Sequence, residues 1–280
     1  MQRDRLDGVV CVVTGGAQGI GFATATELAR IGGRIAVVDL DAGRAHEAAR
    51  RLASEYGVQA EGFAADVADE ASVTNVFSRI ASALGAPGVL VNNAGIMTPR
   101  LAFVRDMPVD DFDTMIAIHV RGTFLCSKAV IPGMEHAGFG RIVNISSVLG
   151  VLGLPSRIGY AAAKTAIVGL TRSLAVEIGR RGITANAVAP GYILTDTLRA
   201  RVAAGQLDYD VYAERTPAGR WGLPEEVGRL IAFIAQPGSG FMNGAVIPID
   251  GGYTIRGDPG EEIGSRTASL DAIERLFGRK

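Results

Sequence analysis

Cysteine, histidine and tryptophan are scarce in this chain of 280 residues, at 2, 3 and 1 copies. Cys11 in an apolar β-branched run and Cys126 in an apolar helix read as small buried hydrophobes, not as a disulfide. His46, His119 and His136 show no metal-ligand spacing, so no metal site is expected. An excess of one charge is missing too: 28 Lys+Arg stand against 29 Asp+Glu, with no basic block. That balance predicts no nucleic-acid partner and no attraction to a membrane surface. The charged start is followed by an apolar run too short for a signal peptide or a membrane span, so a cytoplasmic protein is expected.

What is present is ample core material, with 48% hydrophobic residues and a mean hydropathy of +0.24. The chain is organised around Thr14-Gly15-Gly16-Ala17-Gln18-Gly19-Ile20-Gly21. An apolar run at 9–13 precedes it and a helical pattern at 22–31 follows, so it is a glycine turn between strand and helix. Such a turn presents backbone N–H groups and a positive helix end to a pyrophosphate. Its glycines let the chain turn tightly and let phosphates approach the backbone.

Strand patterns recur at 34–39, 58–65, 88–92, 141–146, 183–189 and 245–249. Helical patterns lie between them at 42–56, 69–84, from Pro108 onward, at 158–178 and from Leu223-Pro224 onward. Gly57 and Gly85 are read as helix stops. This alternation predicts an α/β fold of Rossmann type, a doubly wound parallel sheet of seven strands flanked by helices. No linker divides it, so one domain is expected over 1–256. Residues 191–222 lack a strand and are read as a substrate lid. The charged tail 257–280 holds Leu270, Ile273 and Phe277 at helical spacing, and is read as helical or flexible.

Polar motifs gather at strand ends. Asp39, 18 residues beyond Gly21, stands where a carboxylate accepts from the adenosine ribose and repels a 2′-phosphate. With uncharged Gln18 and apolar Leu40 nearby, this favours NAD over NADP; the directions of Arg34 and Arg44 stay open. Tyr160 and Lys164 share one helix face by their i,i+4 spacing. A lysine ammonium and a nicotinamide cation would favour the phenolate of such a tyrosine, which could then exchange a proton with an alcohol or carbonyl. Ser146 and Ser147 end one strand, Asn92-Asn93-Ala94-Gly95 another and Pro190-Gly191 a third. A serine hydroxyl there could hold a substrate oxygen against the tyrosine.

In these motifs, followed by Thr195 and Asp250-Gly251-Gly252, the chain resembles the short-chain dehydrogenase/reductase family, in its shorter single-domain branch. The motifs keep family order and spacing over about residues 7 to 254. The resemblance implies a homotetramer, with Tyr160 as acid/base and Lys164 tuning it while binding the nicotinamide ribose. It also implies Ser147, 13 residues before the tyrosine, as the substrate-orienting serine in preference to Ser146. For the cofactor it implies Gly15, Gln18, Gly19, Ile20 and Gly21 at the phosphates and Asp66 with Val67 at the adenine. Asn93 and Gly95 would wall it, Thr195 would meet the carboxamide, and Ala94, Pro190, Gly191 and Ile193 would also bind the cofactor. One position departs: His119 stands where the family has an asparagine that helps hold a proton-relaying water.

The activity implied is NAD-dependent interconversion of a secondary alcohol and a ketone by hydride transfer. The substrate would lie among Met97, Leu154, Tyr192 and Leu198, mostly apolar residues suited to a hydrophobic, polyol or hydroxyacyl compound. The rival enzyme is an NADPH-dependent 3-oxoacyl reductase, which Asp39 opposes. The rival of another class is a catalytically silent NAD(H)-binding sensor or scaffold, which His119 keeps open.

Overall fold

A computed structural model describes residues 4–257. Seven strands form one sheet: β1 (Val10–Thr14), β2 (Arg34–Asp39), β3 (Ala60–Ala64), β4 (Pro87–Asn92), β5 (Gly140–Ile145), β6 (Ile183–Pro190) and β7 (Val246–Ile249). All pair in parallel, in the order β3-β2-β1-β4-β5-β6-β7. The strand order reverses between β1 and β4, which opens a crevice at the carboxyl edge where such sheets bind ligands.

The period-2 alternation of side chains sends successive strand residues to opposite faces. Cys11, Val13, Ile35, Val37, Val89 and Val91 pack under α1 (Gly19–Arg30), α2 (Ala42–Tyr56) and α9 (Pro224–Ala235). Val10, Val12, Ala36, Val38 and Leu90 pack under α3 (Glu70–Ala83), α5 (Gly122–Ala137) and α6 (Ile158–Ile178). Leu28, Leu52, Ile80 and Ile142 are wholly buried there, each contributing about 1.5–3 kcal/mol by its removal from water.

Local signals set the helix ends. Asp41 accepts from the Arg44 N–H at the start of α2 and Asp69 from the Ser72 N–H at the start of α3. Gly57 closes α2 with φ +66°, as read from the sequence. The first helix begins at Gly19, inside the glycine turn rather than after it. The helix expected from Pro108 is in three pieces: α4 (Val109–Met115), a wider π-turn (Ile116–Arg121) and α5. By length and composition this run of 29 residues is apolar enough to cross a membrane. Its Met115, Leu125, Cys126, Val130 and Met134 are buried in the protein instead.

The expected lid contains two helices, α7 (Asp196–Ala203) and α8 (Tyr209–Arg215). It is pinned at its base by a parallel bridge of Ile193 to Gly222. The tail expected to be helical or flexible lies, from residue 258 on, outside the described residues.

Candidate active site

Strand β1 delivers the glycine turn to the crevice. Gln18 precedes α1 without a side-chain cap, and the first turn of α1 holds no acid. Its N–H groups and positive end are therefore left for an anion. Gly19 has φ +53°, a conformation that side chains disfavour, and a Cβ at Gly21 would come within 2.6 Å of Asn93 Nδ2. Asn93, expected beside the cofactor, has its amide engaged in bracing this turn: Nδ2 donates to the Thr14 and Gly15 carbonyls at 3.0 and 2.9 Å. The Thr14 hydroxyl accepts from the Asn93 and Ala94 N–H groups, so β4 and the turn are locked together. Ile20 is half-buried and packs against the α1 side of the core.

Asp39 ends β2 at the rim, accepting from the Ala17 and Asp41 N–H groups at 3.3 Å each. Arg34 turns away to the Leu84 carbonyl. Arg44 turns toward the site: it donates to Asp41 Oδ2 at 3.0 Å and to Gln18 Oε1 at 3.1 Å. Asp66 is exposed and accepts from the Ala68 N–H, whereas Val67 is buried beside Gly122.

The two serines after β5 divide. Ser146 donates to the Lys164 carbonyl at 2.9 Å and is buried, so it fastens α6. Ser147 stands beside the Tyr160 phenol, where its hydroxyl opposes the rise in pKa that burial imposes on that tyrosine. Lys164 is buried, donates to the Ile145 carbonyl at 2.8 Å and lies 5.5 Å from the centre of the Tyr160 ring. Burial pulls its ammonium down to about 7. A buried chain from Asn92 through Asn144 to Thr171, with links of 2.8 and 2.9 Å, ties β4 and β5 to α6.

His119 sits on the π-turn and is 3% exposed. Its Nε2 is 3.0 Å from the Ile96 carbonyl oxygen, while Nδ1 has no hydrogen-bond partner. Burial, then the nearby Lys164, lowers its pKa to about 3, so the imidazole is neutral at pH 7. Gly95 presses on this ring: a Cβ there would lie 2.8 Å from Nδ1.

After β6, Pro190 and Gly191 lead toward α7 and α8, and Ile193 is buried. Thr195 caps α7 by accepting from the Leu198 N–H, and its methyl faces Gly19 across the crevice. Tyr192 stacks on Tyr212 of α8 with ring centres 4.1 Å apart and touches the rings of Trp221 and Tyr253. Arg201 of α7 reaches Met97 Sδ at 3.6 Å, so α7 and the loop after β4 meet. Leu154 and Leu198 are half-buried.

Residues 15–254 match the sequence family described as enoyl-(acyl carrier protein) reductase. A cis-4-hydroxycyclohexanecarboxylate dehydrogenase of Sinomonas cyclohexanicum is 43% identical over 248 residues, covering 88% of this chain and 96% of that protein. The 3-oxoacyl-[acyl-carrier-protein] reductase of Pseudomonas aeruginosa is 39% identical over 247 residues, covering 88% and 98%. A solved gluconate 5-dehydrogenase from Burkholderia cenocepacia, in complex with NADP and tartrate, superposes with a TM-score of 0.84 at 38% identity, covering 90% and 98%.

The chain is a short-chain dehydrogenase/reductase.

As a member of that family it is an NAD(P)-dependent oxidoreductase interconverting secondary alcohols and ketones. The residues of this dehydrogenase/reductase fit a dinucleotide: an uncapped helix end, a turn that a Cβ would fill and a carboxylate at the rim. Sequence reading missed how the dehydrogenase/reductase braces its site. Thr14, Asn144 and Thr171 act through hydrogen bonds between distant segments, which no local pattern signals.

Proposed function

We propose that the enzyme prefers NAD and uses Tyr160 as the acid/base, with Ser147, Lys164 and His119 around it. The observation that carries this reading is the convergence of Ser147, Lys164 and His119 on the Tyr160 ring. A nicotinamide held there would supply the hydride acceptor in oxidation and the hydride donor in reduction. Ser147 donates to the substrate oxygen, and Tyr160 removes its proton in oxidation or returns it in reduction. Lys164 adds positive potential that favours the phenolate. His119, neutral and with a bare Nδ1, offers a hydrogen-bonding site in the same pocket where the family has an asparagine amide. Gly15 and Gly19 to Gly21 would take the pyrophosphate, Asp39 the adenosine ribose, Asp66 and Val67 the adenine, and Thr195 the carboxamide side.

Asp39 supports NAD, since a carboxylate at the rim repels a 2′-phosphate. The NADPH-dependent 3-oxoacyl reductase is the second reading. It is favoured by Arg44, whose guanidinium lies at Gln18 beside the same rim. The 3-oxoacyl reductase relative points the same way. The substrate would lie between Met97, Leu154, Tyr192 and Leu198 under a lid formed by 191–222. The names of the two dehydrogenase relatives both specify hydroxy acids, which widens the substrate class to alcohols bearing a carboxylate.

Homotetramer formation is supported by exposed apolar residues on the outer helices, among them Phe124, Val176 and Phe233. A cytoplasmic location and one dinucleotide-binding domain over 1–256 complete the reading. Nicotinamide absorbance across secondary alcohols, polyols and 3-oxoacyl thioesters, with both cofactors, tests it. Turnover of an alcohol with NAD supports the first reading, and turnover of a thioester with NADPH alone supports the second. Silence with tight NADH binding would make the protein a sensor.

A further inference from the structure

The end of β5 is fastened to α6 through three consecutive residues. The Asn144 amide donates to the Thr171 hydroxyl at 2.9 Å, and the Ile145 carbonyl accepts from Lys164 Nζ at 2.8 Å. The Ser146 hydroxyl donates to the Lys164 carbonyl at 2.9 Å. On α6, Tyr160, Lys164, Ile167 and Thr171 follow one another at helical spacing and form a single stripe. The contact at Thr171 therefore sets how far α6 is advanced along β5, about two turns beyond Lys164.

The same amide is tied to the opposite wall of the site. Asn144 lies beside Asn92 in the register of β4 and β5, and its Oδ1 accepts from Asn92 Nδ2 at 2.8 Å. That nitrogen also donates to the Ser127 hydroxyl of α5 at 3.2 Å. Ser127 donates to the Thr123 carbonyl and Thr123 to the His119 carbonyl, at 2.7 Å each. The chain thus runs from the π-turn that carries His119 to the helix that carries Tyr160 and Lys164, with Asn144 at its centre. Asn144 and Thr171 are wholly buried, and Ser127 nearly so. The Ser127 and Thr171 hydroxyls spend their protons on carbonyls one turn back, so toward the two amides they can only accept. That fixes which way both amides point. Among these amide and hydroxyl atoms, only Asn92 Oδ1 lacks a partner.

We propose that Asn144 is a positioning residue of the reaction, holding the His119 turn and the Tyr160–Lys164 face of α6 in one frame. The inference rests on the reading of Tyr160 as the acid/base of an alcohol–ketone oxidoreductase. Burying so many polar groups between sheet and helices is costly unless they are bonded, and an apolar layer would fill the same space. Apolar contact is non-directional, whereas hydrogen bonds of this length fix direction and register. Register matters here because a misplacement of about 1 Å at reacting groups costs up to about 100-fold in rate. An α6 that slips along β5 draws Lys164 from its seat, and the Tyr160 phenolate loses positive potential.

Full-length Thr171→Val, Thr171→Ser and Ser127→Ala test the proposal, with NAD and NADP and the most active of cyclohexanol, threitol and 4-hydroxycyclohexanecarboxylate. Thr171→Val keeps the shape of the side chain and removes the acceptor of the Asn144 amide. It should lower kcat about 10- to 100-fold and leave the cofactor KM within about twofold. The pH midpoint of kcat for oxidation should rise by about 0.5 or more, as the phenolate is less favoured. Thr171→Ser keeps the hydroxyl and should behave as wild type, whereas Ser127→Ala should lower kcat from the other branch. A wild-type kcat and pH midpoint in Thr171→Val, or equal losses in the valine and serine variants, overturn the proposal. If the valine variant does not fold, an unchanged kcat in Ser127→Ala overturns it instead. Hydrogen exchange reads the frame without turnover: Thr171→Val should speed exchange at both 116–121 and 158–166, and a change confined to the surroundings of residue 171 overturns the chain. A loss in Tyr160→Phe beside an unaffected Thr171→Val leaves the acid/base reading standing and overturns only this one. Unchanged turnover in Tyr160→Phe, or a wild type silent on all three alcohols, fails that reading and this one with it.

Discussion

The imidazole of His119 meets the ring of Tyr160 edge-on, with centroids 5.5 Å apart and planes at 84°. The contact joins the π-turn to α6 and places a neutral, half-satisfied imidazole against the proposed acid/base. Packing and hydrogen bonding at this ring are separable by substitution. His119→Phe keeps an aromatic edge and removes both nitrogens, so turnover should fall about tenfold or more. His119→Asn, which restores a donor and an acceptor, should retain more activity than the phenylalanine variant. Equal turnover in wild type and His119→Phe would assign the residue to packing alone.

Gly95 and His119 are fitted to one another. A Cβ at Gly95 would stand 2.8 Å from His119 Nδ1, inside the ring's van der Waals envelope. Gly95→Ala should destabilise the protein by about 1–3 kcal/mol in urea denaturation. Adding His119→Ala should recover most of that loss, a coupling that a double-mutant cycle measures. Additive losses would show that the alanine clashes elsewhere.

Asp39 and Arg44 set opposing charges at the rim proposed to take the adenosine. Asp39→Ala should lower kcat/KM for NAD and raise it for NADP, moving the ratio about 10- to 100-fold toward NADP. Arg44→Ala in that background should reverse part of the gain. An unchanged ratio in Asp39→Ala would remove the basis for NAD preference.

Much of this architecture was legible in the chain itself. The strand and helix pattern, the glycine turn and the strand-end motifs all follow from local periodicity and turn residues. The break of the long helix at Ile116–Arg121 was not legible, because a π-turn has no local sequence signal there and is held by tertiary packing. The choice between Ser146 and Ser147 came from resemblance, and its physical reason is visible only in three dimensions, where Ser146 is bonded to the Lys164 carbonyl. Asn93 reads as a ligand residue by position, yet its amide reaches back to Thr14 and Gly15, a bond across distant sequence. The direction of Arg44 was equally hidden, since it depends on how α2 docks beside the glycine turn.

Burial of His119 links stability to pH. Its pKa falls from 6.5 to about 3 on folding, so between these values the unfolded chain binds a proton that the folded one refuses. This contribution is complete above pH 6.5 and is lost as pH falls toward about 3, on the order of a few kcal/mol. Lys164, lowered from 10.5 to about 7, adds a loss of the same sign as pH falls from 10.5 to about 7. The urea midpoint of wild type should therefore drop between pH 6.5 and 4 more steeply than that of His119→Asn. Parallel profiles would mean that the histidine titrates alike in both states.

The most direct test of the central claim compares wild type with Tyr160→Phe on one secondary alcohol, following nicotinamide absorbance and, separately, NADH binding. The account predicts turnover lower by about 10² to 10⁴ in Tyr160→Phe, with NADH bound as in wild type. Unchanged turnover in that variant would contradict it and move the acid/base elsewhere in the site.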